Sequence, residues 1–186
     1  IFAYDPSFMT PHGAIILRPG KVKRRKEVDV HRRFYEALGI PIVGEITGEG
    51  TLEGGDCFWL NSSTLAVGRG FRSNENGIHQ MRDILSDLDI NVVQFDLPPQ
   101  DDPDACLHLM SVVSPLDHDL ALIYEPLMPN SLQGVLKDFG YDLLSAPVNE
   151  FVLSFGLSLN VLAVSERNLI AIEGFDETRA LMENAG

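Results

Sequence analysis

One plan recurs along the 186 residues of this chain: an apolar run, a turn, a second apolar run, a segment with helical periodicity and a closing apolar run. Short strand-like runs that alternate with amphipathic helices are typical of α/β proteins. The predicted elements are strands at 14–17 and 42–46 around a helix at 26–38, strands at 57–60, 64–67 and 91–95 with a helix at 76–88, strands at 107–113, 120–124 and 141–144 with a helix at 131–139, and strands at 158–164 and 169–172 before a helix at 176–184. The fourth copy lacks a closing strand.

A polar residue marks the same place in each copy. Asp5, Asp56, His108 and Asn160 follow one another at intervals of 51, 52 and 52 residues. Repeats of this length most simply close into a ring, with the first strands lining the centre and the helices outside. Residues repeated at the inner ends of those strands would converge on one point, which predicts a functional site there.

The segment 52–56 reads LEGGD and holds two carboxylates around two glycines. Taken alone, it is compatible with a polar strand entry and a glycine bulge. However, an acid, an arginine, an acid, an arginine and a histidine each lie at the end of an apolar run, at Asp5, Arg24, LEGGD, Arg72 and His108. Buried charges need partners. The order therefore indicates a site for a small molecule that carries a cationic group and a carboxylate.

Composition disfavours several other partners. The formal net charge of −13 argues against nucleic acid, and the basic run at 21–26 is typical of a solvated loop and helix start. No apolar run approaches the roughly 20 residues that a membrane span needs. The two cysteines form no disulfide framework, which suits a reducing, cytoplasmic setting. Because the chain begins inside a strand-like run and stops after a helix, residues 1–186 are expected to be one domain truncated at both ends.

Longer motifs add detail to this pattern. RPGKVKRRKEVD spans residues 18–29, HLMSVVS spans 108–114 and NVLAV spans 160–164. Together with LEGGD, Asp5 and the Arg72 turn, they make the chain resemble the guanidino-group-modifying enzymes, and among these the dimethylarginine dimethylaminohydrolases. LEGGD is shared with arginine deiminases. The resemblance implies an α/β fold, a five-bladed propeller of ββαβ units (the pentein fold), with about four of the units in this chain.

The resemblance implies substrate-binding roles for four residues. Asp5 would grip the guanidinium of the substrate through paired, charge-assisted hydrogen bonds. Phe2, in the same aromatic-led segment, is placed with the substrate-binding residues. Arg24 and Arg72 would hold the α-carboxylate, since a guanidinium fork suits a planar anion. The partner is thus a small molecule, arginine or a methylarginine, and a homo-oligomer is left open.

It also implies the catalytic residues. His108 would be the general acid/base, and an acid of LEGGD would orient it, with Asp56 and Glu53 both as candidates. A guanidinium carbon resists direct attack by water, and a thiolate nucleophile divides the reaction into two easier steps. The histidine first protonates the departing amine and then deprotonates water. This chemistry needs neither a metal nor another cofactor.

The nucleophile is the part that this chain does not supply clearly. Cys106 lies two residues before His108, and core packing is the preferred interpretation for it. Cys57, beside two aromatic residues, is predicted to be a small core residue. The 52-residue spacing places a fifth counterpart at about position 212, so the cysteine is expected in a continuation of roughly 30 or more residues.

Other polar residues have simpler interpretations. Surface positions are predicted for His12, His31, His79 and His118, and turn chemistry for Asp117 and Asp119. Asn160 is interpreted as a strand residue that is hydrogen-bonded in the ring.

Two departures from the family pattern widen the choice of reaction. Tyr4 stands before Asp5, where mammalian dimethylargininases carry an acid, and Met110 stands where arginine deiminases carry an aspartate. The expected activity is hydrolysis of the guanidino group of arginine or an Nω-methylated arginine to citrulline. The alternatives are an arginine dihydrolase that gives ornithine and ammonia, an arginine deiminase, an amidinotransferase and, more distantly, a non-catalytic binding protein.

Overall fold

The computed structural model describes residues 4–99 and 107–186. They belong to two compact units, Ile1–His108 and Leu109–Gly186. The strands are β1 Ser7–Thr10, β2 Gly13–Ile16, β3 Ile42–Glu45, β4 Cys57–Asn61, β5 Thr64–Arg69, β6 Asn91–Asp96, β7 Val113–Pro115, β8 Leu120–Ile123, β9 Asp142–Ser145, β10 Leu162–Ser165 and β11 Asn168–Ile170. The α-helices are α1 Val28–Leu38, α2 Glu75–Ser86, α3 Asn130–Asp138, α4 Val148–Leu153 and α5 Asp176–Asn184. The single-domain organisation stays a prediction.

Three copies of the predicted repeat are complete. In each, two antiparallel strands form a hairpin and a third strand returns parallel to the second, in the orders β1-β2-β3, β4-β5-β6 and β7-β8-β9. A parallel return requires a crossover, which the intervening helix supplies. The fourth copy consists of the β10–β11 hairpin and α5. The predicted α/β class of repeated ββαβ units is confirmed.

The core of the N-terminal unit is built around α2. The apolar residues at helical spacing in the predicted helix 76–88 are Ile78, Met81, Leu85 and Leu88. The first three are fully buried with side chains of β2 and β5, whereas Leu88 lies past the end of α2 and is partly buried. Removing each such side chain from water stabilises the fold by about 1.5–3 kcal/mol. Gly77 allows a close approach, because a Cβ there would lie 2.1 Å from the carbonyl oxygen of Thr51. The helix therefore fixes the segment that leads into LEGGD.

Two predicted first strands are wrong in their bounds. The runs at 107–113 and 158–164 overlap the 3₁₀ helices Leu109–Ser111 and Leu157–Leu159, and the strands β7 and β10 follow these helices. The backbone forms local hydrogen bonds there, since the N–H of Val112 donates to the carbonyl of Leu109 and the N–H of Asn160 donates to the carbonyl of Leu157. Leu109 and Leu159 are fully buried. A buried turn thus has the same apolar signature as a strand.

The recurring polar residues consequently lie in turns ahead of the first strands. Asp56 ends the 3₁₀ helix Gly54–Asp56, and Asp5 lies in the turn before β1. His108 immediately precedes a 3₁₀ helix, and Asn160 immediately follows one. Their predicted placement within the first strands is wrong, because the chain turns before each of these strands begins.

The first helical segment begins as a 3₁₀ helix. Residues Val22–Glu27 form this helix, which continues directly into α1, so the predicted start at 26 falls at the junction. Gly39 ends α1 in the left-handed region, with φ of 67°. Helix α4 lies in a stretch for which no helix was predicted. No helix among residues 4–99 and 107–186 is long and apolar enough to cross a membrane.

Candidate active site

The LEGGD corner is shaped by two glycines that let other groups approach the backbone. A Cβ on Gly54 would lie 2.1 Å from the carbonyl oxygen of Tyr4, and a Cβ on Gly55 would lie 2.8 Å from the ring of His108. Real side chains do not tolerate such distances. The N–H of Gly55 also donates to Asp5 Oδ1 at 3.0 Å. Both glycines are therefore needed to bring Asp5 and His108 together.

Glu53 lies at the centre of this cluster and is fully buried. Its Oε2 is 2.8 Å from His108 Nε2, and its Oε1 accepts from Arg72 Nη1 at 3.2 Å. The N–H of Gly20 donates to the same Oε1 at 3.0 Å, and Arg24 Nη1 lies 3.6 Å from Oε2. A buried carboxylate with this many donors is held in one orientation.

The pKa of Glu53 follows from these contacts. Burial alone would raise the pKa of this carboxyl. The hydrogen bond from His108 and the positive charges of His108, Arg72 and Arg24 outweigh burial, and the net pKa lies below its ordinary value of 4.5. Glu53 is therefore a carboxylate at neutral pH, as an acid that orients an imidazole must be.

Asp5 is held beside Glu53 by two contacts. Its side chain is 8% exposed, and its Oδ2 accepts from Arg24 Nη1 at 2.8 Å, while Gly55 fixes the other oxygen. Arg24 belongs to the 3₁₀ helix that follows the RPG loop. The Nη2 of Arg24 donates to Glu27 at 2.8 Å, and its Nε donates to both oxygens of the same carboxylate at 3.2 and 3.3 Å. Arg24 thus joins two carboxylates.

The turn that carries Arg72 is packed onto LEGGD. The N–H of Glu53 donates to Ser73 Oγ at 3.1 Å, and that hydroxyl donates to Asp56 Oδ2. A Cβ on Gly20 would lie 2.9 Å from the carbonyl oxygen of Arg72, so the RPG loop also needs its glycine. Arg72 is 5% exposed, and its buried Nε has no hydrogen-bond partner within the described ranges.

Sequence comparison places the chain in a family. The family model described as arginine deiminase matches residues 1–168. The chain belongs to the arginine deiminase family. An N(G),N(G)-dimethylarginine dimethylaminohydrolase of Streptomyces coelicolor is 32% identical over 127 residues, which are 68% of this chain and 46% of that relative.

Solved structures share the fold. A cysteine-to-serine mutant of the dimethylarginine dimethylaminohydrolase of Pseudomonas aeruginosa, complexed with citrulline, is 25% identical and superposes on the whole chain with a TM-score of 0.82, covering 66% of that structure. An amidinotransferase of Microseira wollei has the same TM-score at 17% identity, over 99% of this chain and 62% of its own. The pentein class is thereby confirmed, whereas closure into a ring stays a prediction. The chain spans about half the length of the Streptomyces relative and about two thirds of the two structures.

Within this arginine deiminase family member, five of the predicted site residues form one cluster: Asp5, Arg24, Glu53, Arg72 and His108. Of the two candidate acids, Glu53 contacts His108, while Asp56 accepts a hydrogen bond from the Ser73 hydroxyl. Phe2 and Cys106 lie outside the described residues.

Asn160 does not fit its predicted position. It is exposed at the end of a 3₁₀ helix and is not in a strand, because the chain turns before β10 begins. Sequence reasoning also gave no role to Glu27, Ser73 and Gly20, which support the cluster. The spacing of Arg24 and Glu27, three residues apart in a basic helix start, was an available signal for the first of these.

Two remaining predictions concern metals and cysteine. Side-chain donors of Asp5, Glu53 and His108 lie within 4.8 Å of one another, close enough to share a metal ion. Arg24 and Arg72 already supply positive charge to these carboxylates, which disfavours a cation there. Cys57 is a fully buried core residue, as predicted. Burial raises the pKa of its thiol well above the ordinary range, which keeps it protonated.

Proposed function

We propose that this protein hydrolyses the guanidino group of free arginine or an Nω-methylated arginine, giving citrulline and ammonia or an amine. The buried Glu53–His108 hydrogen bond, set between Asp5 and two guanidinium groups, carries the proposal. It combines an oriented acid/base with a carboxylate suited to a cationic substrate.

His108 acts on both halves of the reaction. It protonates the amine that leaves when a thiolate attacks the guanidinium carbon, and it then deprotonates the water that releases citrulline. Glu53 stabilises the imidazolium form that His108 passes through, because its ionised oxygen lies 2.8 Å from Nε2. Cys57 is not this nucleophile, because its thiol is buried and stays protonated.

Different charged residues of the cluster bind different ends of the substrate. Asp5 binds the guanidinium, and its orientation by Gly55 N–H and Arg24 keeps the carboxylate ready for that contact. Arg24 and Arg72 bind the α-carboxylate. Nε of Arg72 is buried and has no hydrogen-bond partner among the described residues. Because an unsatisfied buried donor is costly, this supports the binding of an anion beside it.

The relatives support a reaction of this type. The Streptomyces relative is a dimethylarginine dimethylaminohydrolase by name, and the Pseudomonas structure was solved with citrulline. The amidinotransferase, at 17% identity, supports the fold alone. The same fold thus accommodates an acceptor other than water, so the assay must read more than one product.

The test is a product assay on the full-length protein. Arginine, monomethylarginine and dimethylarginine are each supplied, and citrulline, ornithine, ammonia and methylamines are measured. Citrulline from any of the three supports the proposal. Ornithine with ammonia assigns an arginine dihydrolase instead, and product formed only with an added amine acceptor assigns an amidinotransferase. Binding without product assigns a non-catalytic protein.

A further inference from the structure

We propose that Glu27 is a positioning residue for substrate binding and that it acts by fixing the guanidinium plane of Arg24. The inference rests on the proposed function of the cluster, in which Arg24 touches the substrate. Glu27 lies in the RPGKVKRRKEVD motif but has no direct part in the proposed reaction.

The geometry of the Arg24–Glu27 pair is a fork. Nη2 of Arg24 lies 2.8 Å from Glu27 Oε2, and Nε lies 3.2 and 3.3 Å from the two oxygens. Bidentate pairing of this kind fixes the plane of the guanidinium as well as its position. Glu27 uses one edge of Arg24, which directs Nη1 to Asp5 at 2.8 Å.

The local backbone makes this pairing favourable. Residues Val22–Glu27 form a 3₁₀ helix, with three residues per turn, so that side chains three positions apart lie directly above one another. The pair is also partly removed from water, with 14% of the Arg24 side chain and 26% of the Glu27 side chain exposed. A flexible surface pair would lose more entropy and contribute less.

Loss of the fork should weaken binding more than chemistry. Without Glu27, Arg24 remains charged but gains rotational freedom, so it holds both Asp5 and a substrate carboxylate less well. The Glu53–His108 pair does not depend on the fork for its own contact. We therefore expect an effect on KM and on the dissociation constant Kd, with little effect on kcat.

The experiment compares Glu27→Gln, Arg24→Lys and the double variant in the full-length protein. Steady-state kinetics and calorimetric binding of arginine are measured for each. Glu27→Gln should raise KM and Kd about tenfold and change kcat by less than about threefold. In the Arg24→Lys background, the same change should alter KM by less than about twofold, because the fork is already lost.

The matched control is Asp29→Asn, which removes the same charge from the same motif. Asp29 is exposed and has no ion-pair partner among the residues described. Three results would overturn the role of Glu27. They are an equal rise of KM and Kd in Asp29→Asn, unchanged KM and Kd in Glu27→Gln, and additive effects on KM in the double variant. Wild-type protein that binds arginine without turnover contradicts the hydrolase, while Kd still reports on Glu27. Wild-type protein that binds neither arginine nor a methylarginine overturns both proposals.

Discussion

Two clusters in this protein contain the same chemical groups in different surroundings. One is the site described above; the other is the hairpin between β7 and β8, formed by Asp117, His118 and Asp119 with Arg167. The histidine–carboxylate contacts have equal lengths, since His118 Nδ1 lies 2.8 Å from Asp117 and His108 Nε2 lies 2.8 Å from Glu53. Arg167 Nε also lies 2.8 Å from Asp117. Each cluster also brings three potential metal ligands together.

Exposure separates the two clusters. The difference lies in the cationic partners: the side chains of His108 and Arg72 are 10% and 6% exposed, whereas those of His118 and Arg167 are 75% and 39% exposed. The carboxylates that they contact, Glu53 and Asp117, are 0% and 5% exposed. Water screens the charges of the hairpin, so its ion pairs contribute little. In the buried cluster the same charges act at lower effective dielectric and cannot rearrange freely. Burial of the histidine and the arginines, and not the set of residue types, distinguishes the candidate site from the hairpin.

The largest effect on activity is expected from substitutions that break the Glu53–His108 pair. Glu53→Gln and His108→Ala should each lower kcat of the full-length protein roughly 10²- to 10⁴-fold, because the general acid/base is lost or no longer oriented. The matched control is His118→Ala on the exposed hairpin, which should leave kcat within about twofold of wild type. Citrulline release under saturating substrate measures all three. A comparable loss in His118→Ala would mean that burial does not distinguish the clusters.

The next effect concerns the guanidinium clamp. Asp5→Asn keeps the size of the side chain but removes the charge that Arg24 and the substrate share, so kcat/KM should fall about 10- to 100-fold. Asp119→Asn, at a side chain that is 48% exposed, is the corresponding change on the hairpin and should have no effect on activity. Circular dichroism checks that both variants fold. Turnover near the wild-type rate in Asp5→Asn would refute the clamp.

A smaller effect is expected where the charge is kept and only the fork is lost. Arg24→Lys and Arg72→Lys should raise KM about tenfold, since an ammonium cannot bind a carboxylate in a bidentate manner. Agmatine lacks the α-carboxylate, so the preference for arginine over agmatine should weaken in both variants. Arg167→Lys on the hairpin serves as the control. An unchanged preference in the two site variants would count against a carboxylate site.

The sequence predicted the repeat because strand and helix periodicities are local. It also named the residues of the buried cluster, because motifs carry them, while their roles stay a prediction. It did not distinguish Glu53 from Asp56. The regular spacing selects Asp56. However, the 3₁₀ turn Gly54–Asp56 directs the Asp56 carboxylate to the Ser73 hydroxyl, and it is Glu53 that is hydrogen-bonded to His108. That outcome depends on contacts between residues 17 and 55 positions apart in the sequence. Periodicity contains no information about such contacts.

The smallest expected effect is on stability in acid. Because the folded pKa of Glu53 lies below 4.5, the folded state binds this proton less readily than the unfolded state does. Its contribution to the free energy of unfolding is therefore complete above pH 4.5 and is lost as pH falls through the folded pKa. Urea unfolding of wild type and Glu53→Gln over pH 3 to 7 measures it, with the variant expected to lose less stability on acidification. The pKa of Asp117 is also lowered by its bonds to His118. Its own side chain is 5% exposed, but its partners His118 and Arg167 are solvated, so Asp117→Asn should change the acid slope less than Glu53→Gln. A larger change from Asp117→Asn would reverse the order that burial predicts for the two clusters.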